Sequence, residues 1–347
     1  MNEVIRILSF GGWRNRQPLV YPPILKTLSN QVELVGLPED AQLLIINHFD
    51  DFKLFGEQIH SMLTQHSQLR LVLLSEEPYW DSCAIPDPFT RHQKIRTPAG
   101  PVSCTILTHE TTNIFQATHI PYFLLTDRRY IEHYRPKFER NAGLSAKDWE
   151  RHFAQAPIDA VFLAHHRSKP NLAPAFGGDR LRGLSVWRTA VARACRGNNV
   201  IRKGLGWASG SPRQKLADWH ADKLEQFDLQ TRYMSAIENT HQTDYISEKI
   251  WDAFAIGAIP LYLAAPRHAV HRLLGPEGWI NFYQDIYTIP KFDAGRPIDA
   301  RFTVGYARQQ EKIACLFFDY VKIEAEYDRL RRALLMEFTT IVNNTPT

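Results

Sequence analysis

Four short apolar runs near the start of the chain, VIRILSF, VELVGL, AQLLIINHF and LRLVLLSEEP, restrict the fold more than any other feature. Each ends at Gly, Pro or an acidic residue, which is how strands buried on both faces read. The segments between them, such as DFKLFGEQIHSMLTQHS, are long enough for crossover helices, so a parallel α/β unit is expected. The rhythm breaks between about residues 130 and 158, where RRYIEHYRPKFERNAGLSAKDWERHFAQAP is polar and holds no clean strand. Beyond it, DAVFLAHH, NNVIRKGLG, RYMSAIEN and IPLYLAA read as a second set of strands. LSVWRTAVARAC reads as a helix with Leu184, Trp187, Val191 and Ala194 on one stripe.

A length of 347 residues suits two domains of ordinary size better than one. The expected spans are 1–155 and 156–330, each α/β, with 331–347 as a helical tail. The C-terminal stretch IACLFFDYVKIEAEYDRLRRALLMEFTTIV, which runs into that tail, reads as one or two amphipathic helices suited to docking or an oligomer surface. Two Rossmann-like domains in series imply a cleft between them, with ligands beyond the carboxyl ends of the strands.

At 44% hydrophobic and 22% charged, the chain is globular rather than disordered. A net charge of +4 falls below the footprint of a nucleic-acid binder, and the cluster from Arg167 to Lys203 reads as well as a solvated face. Cys83, Cys104, Cys195 and Cys315 show neither disulfide nor zinc spacing and are expected to be buried free thiols. MNEVIRILSFGGW lacks the pattern of a secretory signal, and no apolar run approaches the ~20 residues that span a bilayer, so a cytoplasmic location is expected.

The chemistry concentrates in AIENTHQTDYISEKIWDAFAIGAIPLYLAAP, residues 236–266. After the strand-like YMSAI comes a polar turn, Glu238 to Thr243. Asp244 or Ser247 could then cap a helix that stops at Gly257. Ile246, Ile250, Ala253 and Phe254 form its apolar stripe; Tyr245, Glu248, Lys249 and Asp252 share the polar face, expected to point into the cleft. A lysine in the first helical turn makes an anion site, and a neighbouring carboxylate can accept bonds from sugar hydroxyls. Together they describe a nucleotide sugar, although a capped surface helix with an acid–lysine pair has the same pattern.

IENTHQTDYISEKIWDAFAIGAIPLYL resembles the donor-binding motif of the family 10 α-1,3/1,4-fucosyltransferases of bacterial type, most closely over residues 230–285. Ile237 stands where the family has an aromatic residue, and Ser247 where it has threonine. The resemblance implies a GT-B fold with two Rossmann-like domains facing across a cleft, an N-terminal acceptor domain and a C-terminal GDP-fucose domain. It implies that Asn239, Glu248 and Lys249 contact the ribose and diphosphate of the donor, that Glu238 lies near the sugar, and that Tyr245 lines the same pocket. It also implies a diphosphate-facing arginine in the first donor-domain helix. Arg188 in GLSVWRTAVA is the candidate, with a snorkelling role as its rival and Arg167 as second choice. A catalytic base is implied after an N-domain strand, where LVLLSEEPYW offers Glu77, with Glu76 as the alternative.

The implied activity is inverting transfer of L-fucose from GDP-fucose to a glycan hydroxyl in α-1,3 or α-1,4 linkage. A GT-B enzyme using another nucleotide sugar, or a non-catalytic nucleotide- or glycan-binding homologue, remains an alternative reading. No D-x-D sequence or metal-ligand spacing occurs, so no metal and no cofactor beyond the donor substrate are expected. GGWRNR is not a dinucleotide fingerprint. Trp13, Tyr79 and Trp80 read either as core or as surfaces for an acceptor sugar. The expected partners are GDP-fucose and a glycan acceptor, with membrane contact only through a lipid-linked acceptor.

Overall fold

The computed structural model describes residues 4–207 and 218–344. The chain divides into two compact units. The first holds the residues up to Ala117, Leu125–Asp127 and the chain from Glu324 onward; the second holds Thr118–Leu124 and Arg128–Ile323.

In the first unit, β1 (Ile5–Ser9), α1 (Pro22–Leu28), β2 (Val32–Leu34), β3 (Leu43–Ile46), α2 (Asp51–Leu54), α3 (Gly56–Gln65) and β4 (Arg70–Leu74) alternate, followed by β5 (His92–Thr97) and β6 (Gly100–Leu107). The sheet order is β2-β1-β3-β4-β6-β5, parallel except for the β5–β6 pair. Leu43, Leu44, Ile45 and Ile46 are all fully buried, as a central strand covered on both faces requires. VELVGL departs from that expectation: it yields a three-residue edge strand with Glu33 and Leu34 exposed, because β2 has a neighbour on one side only. DFKLFGEQIHSMLTQHS, long enough for a crossover, forms two helices broken at Phe55. Gly56 opens the second piece hard against Thr97 and Pro98, where an added Cβ would lie 2.5 Å from Pro98 Cδ.

The second unit follows α4 (Tyr122–Leu125), which the division cuts, and opens with α5 (Arg128–Ala142) and α6 (Ala146–Gln155). Next come β7 (Ile158–Leu163), β8 (Ala175–Phe176), β9 (Leu181–Gly183), α7 (Ser185–Ala194), β10 (Val200–Lys203), α8 (Trp219–Gln226), β11 (Thr231–Ser235) and β12 (Thr240–Gln242). The remaining elements are α9 (Lys249–Ala255), β13 (Ile259–Tyr262), α10 (Val270–Leu273), β14 (Ile280–Asn281), α11 (Ala300–Phe318) and α12 (Tyr320–Asn343). The main sheet, β10-β7-β11-β13-β14, is wholly parallel; β12-β9-β8 form a small antiparallel sheet. Each unit is thus α/β around a parallel sheet, the fold class expected.

The compact units do not break at 155. The polar segment read as a boundary forms α5 and α6, whose polar groups are used inside the second unit: Asn141 Nδ2 donates to Phe254 O at 2.9 Å and Arg140 pairs with Asp228 at 2.7 Å. Nor do residues 331–344 stand apart. Tyr327, Leu330, Leu334, Phe338 and Ile341 form a buried stripe at helical spacing, and Arg91 pairs with Glu337, so from Glu324 the last helix belongs to the first unit. No described helix is long and apolar enough to cross a membrane.

Candidate functional site

The chain enters the second sheet at β7, adds β10 on one side, then crosses to β11 on the other. In doubly wound sheets the crevice where the order reverses is where ligands bind, beyond the carboxyl ends of the two strands. Glu238 and Asn239 lie just past the end of β11, and Arg167 just past the end of β7. Topology alone therefore places the polar turn at the ligand-binding end of this sheet.

Glu238 is buried, and three donors converge on it at 2.8 Å: Ser247 N, Ser247 Oγ and Lys249 Nζ. Lys249 Nζ also donates to Ser247 Oγ at 2.7 Å and lies 3.7 Å from Glu248 Oε1. Burial works against the Lys249 charge, but Glu238 and Glu248 outweigh it and hold the ammonium above the ordinary lysine range. Glu248 is also buried, yet Lys249 and Lys223 overcome that cost and pull it down to about 2, a fixed anion. Burial dominates at Glu238 and raises its carboxyl. One lysine thus holds two acids of different character, with a quarter of its side chain exposed.

Of the other candidates, Arg188 joins this group, and Arg167 lies on a loop against the helix that carries Arg188. The α7 start is tied to the turn by Leu184 N donating to Asn239 O at 2.7 Å, and Arg188, one turn on, is close enough to disfavour the Lys249 charge. Arg167 N donates to Thr189 Oγ1 at 3.0 Å, which sets the loop after β7 against the same helix. Asn239 Oδ1 is buried without a protein partner, an acceptor left over at the turn. Tyr245 is buried, its backbone bonded to the ring of His268.

Residues 208–289 match the family model described as glycosyltransferase family 10 (fucosyltransferase), C-term. The match covers the turn and helix that carry Glu238, Asn239, Ser247, Glu248 and Lys249. A comparison with curated proteins gives no match. Among solved structures, the chain is similar to a crystal structure of alpha1,3-fucosyltransferase with GDP-fucose, at 13% identity over 99% of this chain and 92% of that one, with a TM-score of 0.45. A crystal structure of alpha1,3-fucosyltransferase with GDP gives 13% identity, 99% and 91% coverage, and a TM-score of 0.42.

Within the matched segment, two local expectations change. Neither Asp244 nor Ser247 caps α9: its N-cap is Glu248, and the Ser247 hydroxyl is engaged with Glu238 instead. The polar face does not all point outward, because Asp252 is fully buried and accepts from Lys223 Nζ, from His220 Nε2 at 2.6 Å and from Tyr134 OH at 2.7 Å. Tyr134 OH also reaches Glu248 O at 3.4 Å, so this buried cluster fixes the start of α9 from below. Spacing put Asp252 with Lys249, but Tyr134, His220 and Lys223 come from two distant helices that no local pattern connects. Tyr262, at the end of β13, has a buried hydroxyl pushed well above the ordinary tyrosine value by burial and by the nearby Glu238. Gly257 ends the helix as expected, with φ +77°, and an added Cβ would press on Leu229 and Trp149.

The second constellation lies in the first unit, whose order also reverses, between β1 and β3. Gly11, at φ +110°, turns the chain after β1 so closely over Asp51 that a side chain would strike its carboxylate, and Gly12 N donates to Asp51 at 3.0 Å. Trp13, half-exposed, stacks on His48 with centroids 4.9 Å apart. Burial lowers His48, and its Nδ1 accepts from Asp50 N at 3.1 Å, so the imidazole is neutral. Past β4, Glu77 pairs with Arg16 at 3.5 Å and keeps partial exposure, whereas Glu76 is buried and accepts from Tyr21 OH at 2.6 Å. Trp80 is exposed and Tyr79 buried.

A cavity of about 1280 Å³ in the first unit, lined by Arg70, Arg91, Lys94 and Glu337 among others, includes no residue of the Glu77 turn. Among the described residues no group of three His, Cys, Asp or Glu is set to hold a metal ion. Of the cysteines, Cys104 and Cys195 are buried and free; Cys315 is exposed, contrary to expectation.

Proposed function

We propose that this chain transfers L-fucose from GDP-fucose to a hydroxyl of a glycan acceptor, with inversion, forming an α-1,3 or α-1,4 linkage. The observation that carries the reading is the Lys249–Glu238–Ser247 clamp beside the ionised Glu248, at a strand end within the family-matched segment. Lys249 spends two of its three donors on Glu238 and Ser247 and keeps the third for a diphosphate oxygen, with Arg188 as the second cation. Glu248 accepts from ribose hydroxyls, Asn239 accepts from or donates to them, and Tyr245 backs the pocket. Glu238, nearest the sugar, is neutralised by the same lysine.

In the reaction Glu77 takes the proton of the acceptor hydroxyl as that oxygen bonds to the anomeric carbon. The bond from this carbon to the diphosphate oxygen breaks, and GDP leaves with the electron pair. Its growing charge is met by cations already in place, the situation in which preorganised electrostatics contributes most. The geometry favours Glu77 over Glu76, whose carboxylate is buried and engaged by Tyr21. The reading calls for no further cofactor.

Calorimetric titration with GDP, GDP-fucose, GDP-mannose and UDP-sugars tests the donor assignment, followed by an acceptor screen with the donor that binds. GDP and GDP-fucose are expected to bind and UDP-sugars not to. Binding of a UDP-sugar in preference to GDP-fucose overturns the assignment.

A further inference from the structure

The turn that carries Glu77 is built around a group that no sequence pattern singles out. Asp81 is fully buried at the end of the wide turn Pro78–Ser82. Its Oδ1 accepts from Phe49 N, past the end of β3, at 2.7 Å, and its Oδ2 accepts from the Ser75 hydroxyl, past the end of β4. Ser75 Oγ in turn accepts from Glu77 N at 3.2 Å, and Asp81 N donates to Glu77 O at 3.1 Å. Both backbone polar groups of Glu77 therefore run to Asp81, one directly and one through Ser75. The ladder is directional: Ser75 has one proton, and giving it to Asp81 leaves its lone pairs for Glu77 N.

We propose that Asp81 is the positioning residue of the acceptor-activating turn, its ionised carboxylate holding Ser75 and through it the backbone of Glu77 in the orientation that aims the Glu77 side chain. This rests on the reading of Glu77 as the base. Protonation of Asp81 removes an acceptor from the Ser75 hydroxyl and loosens the ladder, so the turn is set by pH. The charged and titratable groups around the carboxylate are His48, 3.8 Å away and neutral, Glu77, which disfavours its charge, and Arg16, which favours it; Asp50 and Asp51 face His48. Burial is the dominant influence and raises Asp81 to about 7, so the carboxylate forms as pH rises through neutrality. The sign for stability is opposite: the folded state keeps this proton to about 7 while the unfolded chain releases it near 3.8, so Asp81's contribution is full below 3.8 and lost as pH rises through 7.

The test uses the full chain and GDP-fucose hydrolysis, with water as the acceptor and GDP release as the signal. In the wild type kcat should rise as pH goes from 6 to 8. Asp81→Asn, which keeps the shape but turns a donor toward Ser75, should lower kcat about tenfold or more, leave KM for GDP-fucose within twofold, and lose the rise across neutrality. Ser75→Ala keeps Asp81 and cuts only the ladder; it should reproduce the kcat loss, and Ser75→Thr, which restores a hydroxyl, should recover most of it. Should Asp81→Asn fail to fold, the Ser75 pair decides alone. Unchanged kcat and pH profile in these variants, alongside loss of turnover in Lys249→Ala, overturns the inference and leaves the donor reading standing. No GDP-fucose turnover by the wild type overturns both.

Discussion

The two sheets share a plan and differ in what they do with buried charge. In each, the chain begins in an interior strand and reverses the strand order beside it, and in each the turns past the reversal hold carboxylates. In the second unit Glu248 is buried beside Lys249 and Lys223 and is pulled down to about 2. In the first, Asp81 is buried at least as deeply; hydrogen bonds from Ser75 and Phe49 N favour its charge but among the described residues Arg16 is the one cation that does, and it stands near 7. Burial is the common cost; adjacent cations decide whether the acid becomes a fixed anion or a group that exchanges protons near neutrality. Holding a diphosphate calls for the first kind, whereas the second makes the support beneath the Glu77 turn sensitive to pH.

The comparison breaks most visibly at the proton acceptor. Glu77→Gln should reduce kcat by about 10²- to 10⁴-fold while GDP affinity, measured by calorimetry, stays the same; a parallel loss of GDP affinity would mean that the two turns are not separate in role. Next comes the support under the fixed charges. Asp252→Ala leaves Lys223 buried without its carboxylate and should cost about 3–5 kcal/mol of stability in denaturant titration. A loss below about 1 kcal/mol would show that the cluster beneath α9 is not what holds it.

Glu248→Gln sharpens the picture by removing the anion and keeping the shape. It should weaken nucleotide-sugar binding by about 1.5–3 kcal/mol, the scale of a hydrogen bond to a charged group, and also lower the melting temperature, because Lys249 and Lys223 lose a carboxylate that the fold holds ionised. The smallest effect separates the two adjacent acids of the first unit. Tyr21→Phe releases Glu76 from its hydrogen bond and should cost about 0.5–1.5 kcal/mol of stability with less than twofold change in transfer. A tenfold loss of transfer would move the base assignment to Glu76.

What the sequence made legible follows the range of the interactions. Glu238, Ser247, Glu248 and Lys249 lie within one strand–turn–helix segment, so their meeting was readable from order and spacing. The parallel sheets were readable because doubly buried strands leave uninterrupted apolar runs such as LLII. Partners that reach across the chain were not. Tyr134 and His220 meet Asp252 over 118 and 32 residues, and Phe49 meets Asp81 over 32. The polar stretch from about 130 to 158 read as a break for the same reason: the buried partners of its polar residues lie elsewhere in the chain.

The central claim is that Lys249 grips a diphosphate, and calorimetric titration of GDP into the wild type and Lys249→Ala tests it most directly. Saturable binding to the wild type that weakens about tenfold or more in the variant, with both proteins folded, is the predicted result. Equal affinity in the two proteins, or no binding to either, contradicts it.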